Sequence, residues 1–322
     1  MITVSNLVKR FAGDIALDDV SFSVKRSEIV GIVGPNGAGK TTLMRILAGY
    51  LLPTEGTVKI DGMDVASQSL EVRRRIGYLP EAVSLYPEMR VNEFLLFRAR
   101  LKGVLRRKCK KRLEEVVALC GLQAVTQRII GQLSRGYWQR IGLADSLIRH
   151  PELLILDEPT IRLDPNQIRD IRQLLKNLGS GYTILLSTHF LSEAEMLCKR
   201  ILILNHGKIV ASDSPQELLA LLQGATRLIA EIYGPSQEVS RKLAALPDIL
   251  HVSCKPCNDS HSQENSSPQW CRYILESQKN ADFRATVFDT VRNNKWTLRE
   301  LSQEKKHLED VFVEMTIEGN KR

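Results

Sequence analysis

The stretch Gly34-Pro35-Asn36-Gly37-Ala38-Gly39-Lys40-Thr41 limits what this chain can fold into more than any other. It spells Gly, four residues, then Gly-Lys-Thr, behind the apolar run Ile29 to Val33 and ahead of Leu43, Met44, Ile46 and Leu47 at helical spacing. Gly49 stands where that helix should end. A strand, a glycine-rich loop and a helix in this order make a cradle for phosphates, because small residues let backbone N–H groups turn inward on an anion. The helix N-terminus adds its partial positive charge. Residues Gly34 to Thr42 are therefore candidate nucleotide-binding residues: Lys40 reaches the terminal phosphates, Thr41 offers its hydroxyl to Mg²⁺, and Thr42 closes the set.

A single strand–loop–helix unit does not use 322 residues, and the length suggests about two domains. An apolar content of 43% with 25% charged residues is globular in character. No run reaches the ~18 apolar residues of a membrane span. Met1 to Lys9 is too polar for a secretion signal, so a cytoplasmic protein is expected, with its six cysteines as free thiols. The net charge of +8 is compatible with anionic lipid or nucleic acid as partner and requires neither.

Ahead of the loop, Ile2 to Val8 and Ala16 to Val24 read as strands, with Phe11 between them as either a packing aromatic or one that stacks on a nucleotide base. Behind it, Thr57 to Ile60 and the Asp61-Gly62 turn read as a small antiparallel hairpin, and Ile76 to Leu79 as a short strand ending at Pro80-Glu81. From about Val91 to Leu147 the pattern becomes helical. There Arg98, Arg100, Lys102, Arg106, Arg107, Lys108, Lys110, Lys111 and Arg112 place nine cations in fifteen residues, which is either a solvated helical face or a surface that meets an anion.

Leu133-Ser134-Arg135-Gly136-Tyr137 opens the next helix, with Ser134 at the cap position. Leu153 to Leu156 is an unbroken apolar run, as expected of a central parallel strand, and it delivers Asp157 and Glu158 to the end of a sheet. Downstream of a phosphate loop these acids are candidates for Mg²⁺ binding through water (Asp157) and for polarising the attacking water (Glu158). Leu163-Asp164-Pro165 starts another helix. Tyr182 to Leu186 is a further buried strand, ending at Ser187-Thr188-His189, where His189 is in reach of a terminal phosphate. Ile201 to Leu204 and Lys208 to Ala211 flank Asn205-His206-Gly207 as a hairpin, and Ser214-Pro215-Gln216-Glu217 begins one more helix.

Five motifs in this order make residues 1 to about 220 resemble the ATP-binding subunit of ABC transporters: the loop at 34–41, Glu81, the signature at 133–137, the acidic strand end at 153–158, and His189. Ile76-Gly77-Tyr78-Leu79-Pro80-Glu81, the basic residue inside Leu133-Ser134-Arg135-Gly136-Tyr137, and His307-Leu308-Glu309-Asp310-Val311-Phe312 are similar to the gliding-motility and drug-export type of exporter ATPases. The resemblance implies a P-loop cassette at 1–222: a mixed sheet core, an antiparallel β subdomain, and a helical subdomain at about 88–148. It also implies ATP and Mg²⁺ as cofactors, the latter held by Thr41, Asp157 and Glu81. Two subunits, most simply a homodimer, would sandwich two ATP molecules between each phosphate loop and the partner's signature. Asp164 would lie on the loop at the dimer seam, Phe11 would stack on adenine, and Glu158 with His189 would be catalytic. Separately encoded membrane permease subunits would be driven, with the ATPase peripheral on the inner face of the cell membrane and no nucleic acid partner. Ile161-Arg162 departs from the small or polar pair usual before Leu163-Asp164.

Residues 226–322 read as a second domain of alternating strands and helices, β-α-β-β-α-β with a final helix, an α+β ferredoxin-like accessory domain. Its Cys254-Lys255-Pro256-Cys257, with His251, His261 and Cys271, is a candidate Zn²⁺ site or a plain loop. Two other functions fit parts of the sequence: a soluble ABC ATPase acting on nucleic acid or ribosomes, and a module that binds ATP without cleaving it.

Overall fold

The computed structural model describes residues 1–221, 226–247, 249–256, 268–277 and 283–304. Contacts divide the chain into two compact units that part between Pro215 and Gln216.

In the first unit, β1 (Ile2–Phe11) and β2 (Asp14–Val24) form a hairpin before β3 (Ile29–Val33). The phosphate loop leads into α1 (Lys40–Leu47), which ends as its glycine requires: Gly49 has φ +71°, and the N–H groups of Gly49 and Tyr50 return to the carbonyls of Ile46 and Arg45. β4 (Glu55–Ile60) and β5 (Met63–Asp64) make the second hairpin. α2 (Ser69–Arg75) and β6 (Ile76–Leu79) follow, then the helices α3 (Val91–Leu101), α4 (Arg106–Leu119) and α5 (Arg135–Leu147). The chain returns to the sheet with β7 (Leu153–Asp157), α6 (Pro165–Leu178), β8 (Thr183–Thr188), α7 (Leu191–Leu197), β9 (Arg200–Asn205) and β10 (Lys208–Asp213); α8 (Pro215–Leu221) starts at the division between the units.

Two sheets result. The larger has the order β10-β9-β3-β8-β7-β6, parallel from β9 to β6 with β10 antiparallel at one edge. The parallel strands are buried on both faces, which is why Ile29–Val33 and Leu153–Leu156 carry no polar alternation. Connections in this order bring the carboxyl ends of β3, β7 and β8 side by side, where ligands bind in open α/β sheets. The smaller sheet, β2-β1-β4-β5, is antiparallel. The β4–β5 hairpin was legible in the sequence, whereas the pairing of Ile2 with Ile60 across the whole subdomain was not. Leu43, Met44, Ile46 and Leu47 of α1 are fully buried among Val4, Leu17 and Val58 from the small sheet and Ile32, Ile155 and Leu185 from the large one. One core thus locks the phosphate loop's helix to both sheets, and truncating any of these leucines to alanine should cost about 2–5 kcal/mol. Among the described residues no helix is long and apolar enough to cross a membrane.

The second unit has β11 (Thr226–Pro235), α9 (Ser236–Ala244), β12 (Ile249–Pro256), β13 (Pro268–Ser277), α10 (Arg284–Asn293) and β14 (Thr297–Glu304). The order β12-β13-β11-β14, antiparallel throughout, is the split βαβ arrangement expected for the ferredoxin-like pattern. Leu228, Ala230, Ile232, Tyr273 and Leu275 pack beneath Val239, Leu243, Val287 and Val291 of the two helices. Cys254 is exposed and Cys271 buried, and neither is in a disulfide. Cys257 and His261 of the candidate zinc site, and the expected final helix, lie outside the described residues.

Candidate nucleotide site

At the carboxyl edge of the large sheet a cleft of about 600 Å³ is lined by Ala16, Asn36, Gly37, Gly39, Lys40, Thr41, Thr42, Glu81, Glu158, Ile161, Arg162 and His189. The loop glycines have separate reasons. A Cβ on Gly34 would lie 2.2 Å from the Leu204 carbonyl oxygen, and one on Gly39 would lie 2.4 Å from that of Ala16. Those two positions are fixed by neighbouring backbone. Gly37, at φ +83° with open space where a Cβ would point, is fixed by its left-handed conformation. Gly34 and Ala38 are buried beneath the loop, and Pro35 is exposed on its outside.

Lys40 begins α1 and is 6% exposed. Its Nζ donates to the carbonyls of Gly34 (2.8 Å) and Pro35 (3.1 Å) and lies 3.6 Å from Glu158 Oε1. The ammonium is therefore held at the mouth of its own loop, facing the carboxylate.

Asp157 ends β7. Its Oδ1 accepts from Ser187 Oγ at 2.7 Å and from Thr41 Oγ1 at 3.3 Å. Its Oδ2 is buried without a hydrogen-bond partner among the described residues. Burial pushes the carboxyl above its ordinary value, with the Ser187 and Thr41 hydroxyls pulling the other way. A hydroxyl and a carboxylate oxygen with spare capacity, both hard donors, fit a Mg²⁺ ion.

Glu158 follows at φ +48°, an uncommon backbone for a residue with a side chain. Its N–H donates to Ser187 Oγ at 3.0 Å, and its Oε2 lies 2.8 Å from His189 Nδ1. The imidazole rests against the Phe190 ring at 3.9 Å between centroids. β7 and β8 are in register, with Asp157 opposite Ser187, so the serine spans both acids from the neighbouring strand. Ser187 was not singled out in the sequence, nor was Glu193. This fully buried acid accepts from Thr160 and Thr188 at 2.8 Å each and pairs with Arg172 at 3.2 Å. It ties the segment after Glu158 to the end of β8, so both catalytic candidates stand on a braced floor. Only the register of β7 and β8 brings these groups together; no local sequence signal announces them.

Other expected residues lie elsewhere. Phe11 ends β1, is 44% exposed under the Lys9 ammonium (5.0 Å to the ring centroid), and does not line the cleft; Ala16 does. Ser134 occupies the cap position of α5 without a side-chain cap bond and is exposed with Arg135, while Gly136 is buried against Gln167. None of 133–137 lines the cleft of its own chain. Asp164 caps α6 by accepting from the Gln167 N–H at 3.0 Å. Arg162, at φ +60°, reaches within 3.9 Å of Glu81.

The family model described as ABC transporter matches residues 17–161. The ABC transporter ATP-binding protein YxlF of Bacillus subtilis (strain 168) is 40% identical over 218 residues, covering 68% of this chain and 72% of its own. The Nod factor export ATP-binding protein I of Burkholderia lata is 32% identical over 316 residues, covering 98% of this chain and 96% of its own. Among solved structures, a dimeric ATP-binding cassette in a post-hydrolysis state with ADP and Pi is similar at a TM-score of 0.60 and 29% identity, over 66% of this chain and 98% of its own.

Proposed function

The chain belongs to the family of ABC transporter ATP-binding proteins, and from that premise we propose that it drives an export system by closing head-to-tail with a second copy around two ATP molecules. It is an ATPase of that family. The observation that carries the site assignment is Lys40, Glu158 and His189 lining one cleft, with Asp157 bonded to Thr41 of its wall, and with Glu158 held between the Lys40 ammonium at 3.6 Å and the His189 ring at 2.8 Å.

In this reading Gly34 to Gly39 direct N–H groups at the phosphates, and Lys40 leaves its loop carbonyls for the terminal ones. Thr41, with Asp157 and Glu81 in support, would hold Mg²⁺, which would supply positive charge to the terminal phosphates. Glu158 takes the proton of the attacking water, and His189, already hydrogen-bonded to it, orients that carboxylate and contacts the transferred phosphoryl group. Ser134 and Arg135, both exposed, and the buried Gly136 stand away from their own cleft and serve the partner's ATP, with Leu133 and Tyr137 holding them in place. Phe11 meets adenine from the hairpin beyond Ala16, and Asp164 holds the seam loop by capping α6. The cassette spans 1–222 with its helical part at about 88–148, and 226–322 forms an accessory domain.

A docking place for a membrane subunit is supported by a second hollow of about 420 Å³, lined by Tyr50, Tyr78, Tyr86, Phe94 and Arg98 together with residues 82–85. Tyr50 and Tyr86 are 68% and 50% exposed, which is unusual for large aromatics clustered on one surface. The segment 82–86 follows Glu81 directly, so a helix seated there pushes on a cleft residue. The test is co-purification with the cognate permease. Wild type should be retained through detergent, and Tyr50→Arg with Tyr86→Arg should lose it; equal retention of both would remove this docking site.

A further inference from the structure

The structure sorts the nine cations of residues 98–112 into two sets. Arg98 and Lys102 share Asp145 at 2.9 Å each, and Arg112 pairs with Glu115 at 2.7 Å. Arg100, Arg106, Arg107, Lys108, Lys110 and Lys111 are exposed, and among the described residues none of them has an ion pair or a side-chain hydrogen bond.

Their position is locally unfavourable. Arg106, Arg107 and Lys108 are the first three residues of α4, the positive end of the helix dipole, where a cation opposes the backbone charge. The cap residue is Leu105, which makes no side-chain cap bond, and no acid stands in the first turn. Like charges at this density also repel one another. A helix start that breaks several local rules at one place, with no ion pair to these six cations among the described residues, does so where something outside supplies the compensation.

The apolar neighbours narrow what that is. Leu101, at the end of α3, is 64% exposed, and Leu105, just before α4, is 55% exposed. Cations flanking exposed aliphatic side chains suit a bilayer interface, with headgroup phosphates outside and the acyl boundary a few ångströms below. A nucleic-acid surface would instead interleave its cations with free aromatics on which bases stack. Phe97, one turn before Leu101 on α3, is engaged edge-on by Tyr86.

We propose that the corner from Leu101 through the first two turns of α4 is a contact surface for anionic phospholipid, with Arg106, Arg107, Lys108, Lys110 and Lys111 on headgroup phosphates and Leu101 and Leu105 in the interfacial layer. It deepens the export role proposed above and rests on that reading only for the membrane being within reach. It requires no permease to operate.

The test is co-sedimentation of the full chain, without permease, with vesicles of phosphatidylglycerol mixed into phosphatidylcholine. The chain should bind these, release them as salt rises, and ignore vesicles of phosphatidylcholine alone. Arg106→Glu, Arg107→Glu, Lys108→Glu together should lower the partition coefficient at least ~100-fold, since each basic residue near the surface is worth about a fivefold factor. These reversals place acids in the first turn of α4, so the helix should form at least as well and lost binding will not report unfolding. Leu101→Ser with Leu105→Ser should cost a smaller factor, about tenfold. Equal sedimentation with neutral vesicles, or undiminished binding by the triple variant, would overturn the proposal. So would a single-stranded oligonucleotide bound more tightly than anionic vesicles at the same salt. ATP turnover by the same preparations without vesicles reports on the cleft separately.

Discussion

Two acids occupy buried positions in the two units, and they are treated in opposite ways. Asp157, at the end of β7, is pushed above its ordinary carboxyl range by burial and keeps an oxygen without a partner among the described residues. Glu231, in the centre of β11, is pulled below its ordinary range by hydrogen bonds from Arg299 and Arg272, both fixed on neighbouring strands. The first carboxylate is left short of positive charge and the second is supplied with it by the fold. An acid buried incompletely satisfied is a place prepared for a ligand, and an acid buried between two guanidinium groups is a piece of structure. The same contrast separates Lys40, whose polar partners among the described residues are its own loop carbonyls and the Glu158 carboxylate, from Arg272, whose partner Glu231 stands opposite it on the neighbouring strand.

The comparison breaks most visibly at Lys40. Lys40→Ala removes the ammonium at the loop mouth, and the ATP-induced rise in the thermal midpoint should vanish, with affinity down at least ~100-fold. An isothermal titration that still gave wild-type affinity would mean that the loop carbonyls, and not phosphates, are what Lys40 is for.

Asp157→Asn sharpens it. The folded-state pKa lies above the unfolded value, so the folded chain holds the proton more tightly and stability falls as pH rises through that pKa. The ionised carboxylate is therefore a cost to the fold. The asparagine variant should unfold a few degrees higher than wild type without Mg²⁺, yet lose at least ~100-fold in turnover. A variant that is both inactive and less stable would place Asp157 with Glu231 as a structural acid.

Glu231→Gln should do the reverse. Its folded-state pKa is lowered, so its contribution is present above the unfolded value and is lost as pH falls through the folded one. The variant should unfold at a lower temperature near neutral pH, with the gap to wild type closing under acid, and should hydrolyse ATP within about twofold of the wild-type rate. Circular dichroism melts across pH, with phosphate release on the same samples, read both quantities.

The smallest effect is expected at Arg162, whose contact with Glu81 is long and largely exposed. Arg162→Gly also suits the φ of +60° at that position. Turnover should rise by about two- to threefold while ATP-driven dimerisation weakens, since surface pairs of this kind are worth under about 1 kcal/mol. A slower enzyme with a firmer dimer would show that Arg162 belongs to the hydrolysis geometry.

Much of the cleft was legible because its chemistry is written in runs: the loop at 34–41, and acids at the very end of an apolar strand. The second unit's order was legible for the same reason, since its strands and helices alternate cleanly along Leu228 to Leu301. What stayed hidden depends on pairing between distant segments. Ser187 serves both acids only because β8 lies beside β7, and Glu193 braces the site only because α7 folds back under β8. The small sheet needed β1 to find β4 some fifty residues on, for which a strand pattern carries no address. Phe11 was read from its place in the sequence; the structure sets it at the end of the bulged β1–β2 hairpin, whose second strand brings Ala16 to the cleft wall. The reactive aspects of Glu158, its left-handed backbone and its contact with His189, could not be read at all, since strain and tertiary hydrogen bonds leave no local trace.

The central claim is that Glu158 acts as the base in a cleft that closes over ATP between two copies, and Glu158→Gln tests it most directly. The amide keeps the size and the hydrogen bond but cannot take a proton. Size-exclusion chromatography with MgATP, coupled to phosphate release, should show the variant trapped as an ATP-loaded dimer with turnover reduced at least ~100-fold, where wild type passes through the dimer and returns to monomer. Turnover at the wild-type rate, or a variant that stays monomeric while binding ATP, would contradict the account.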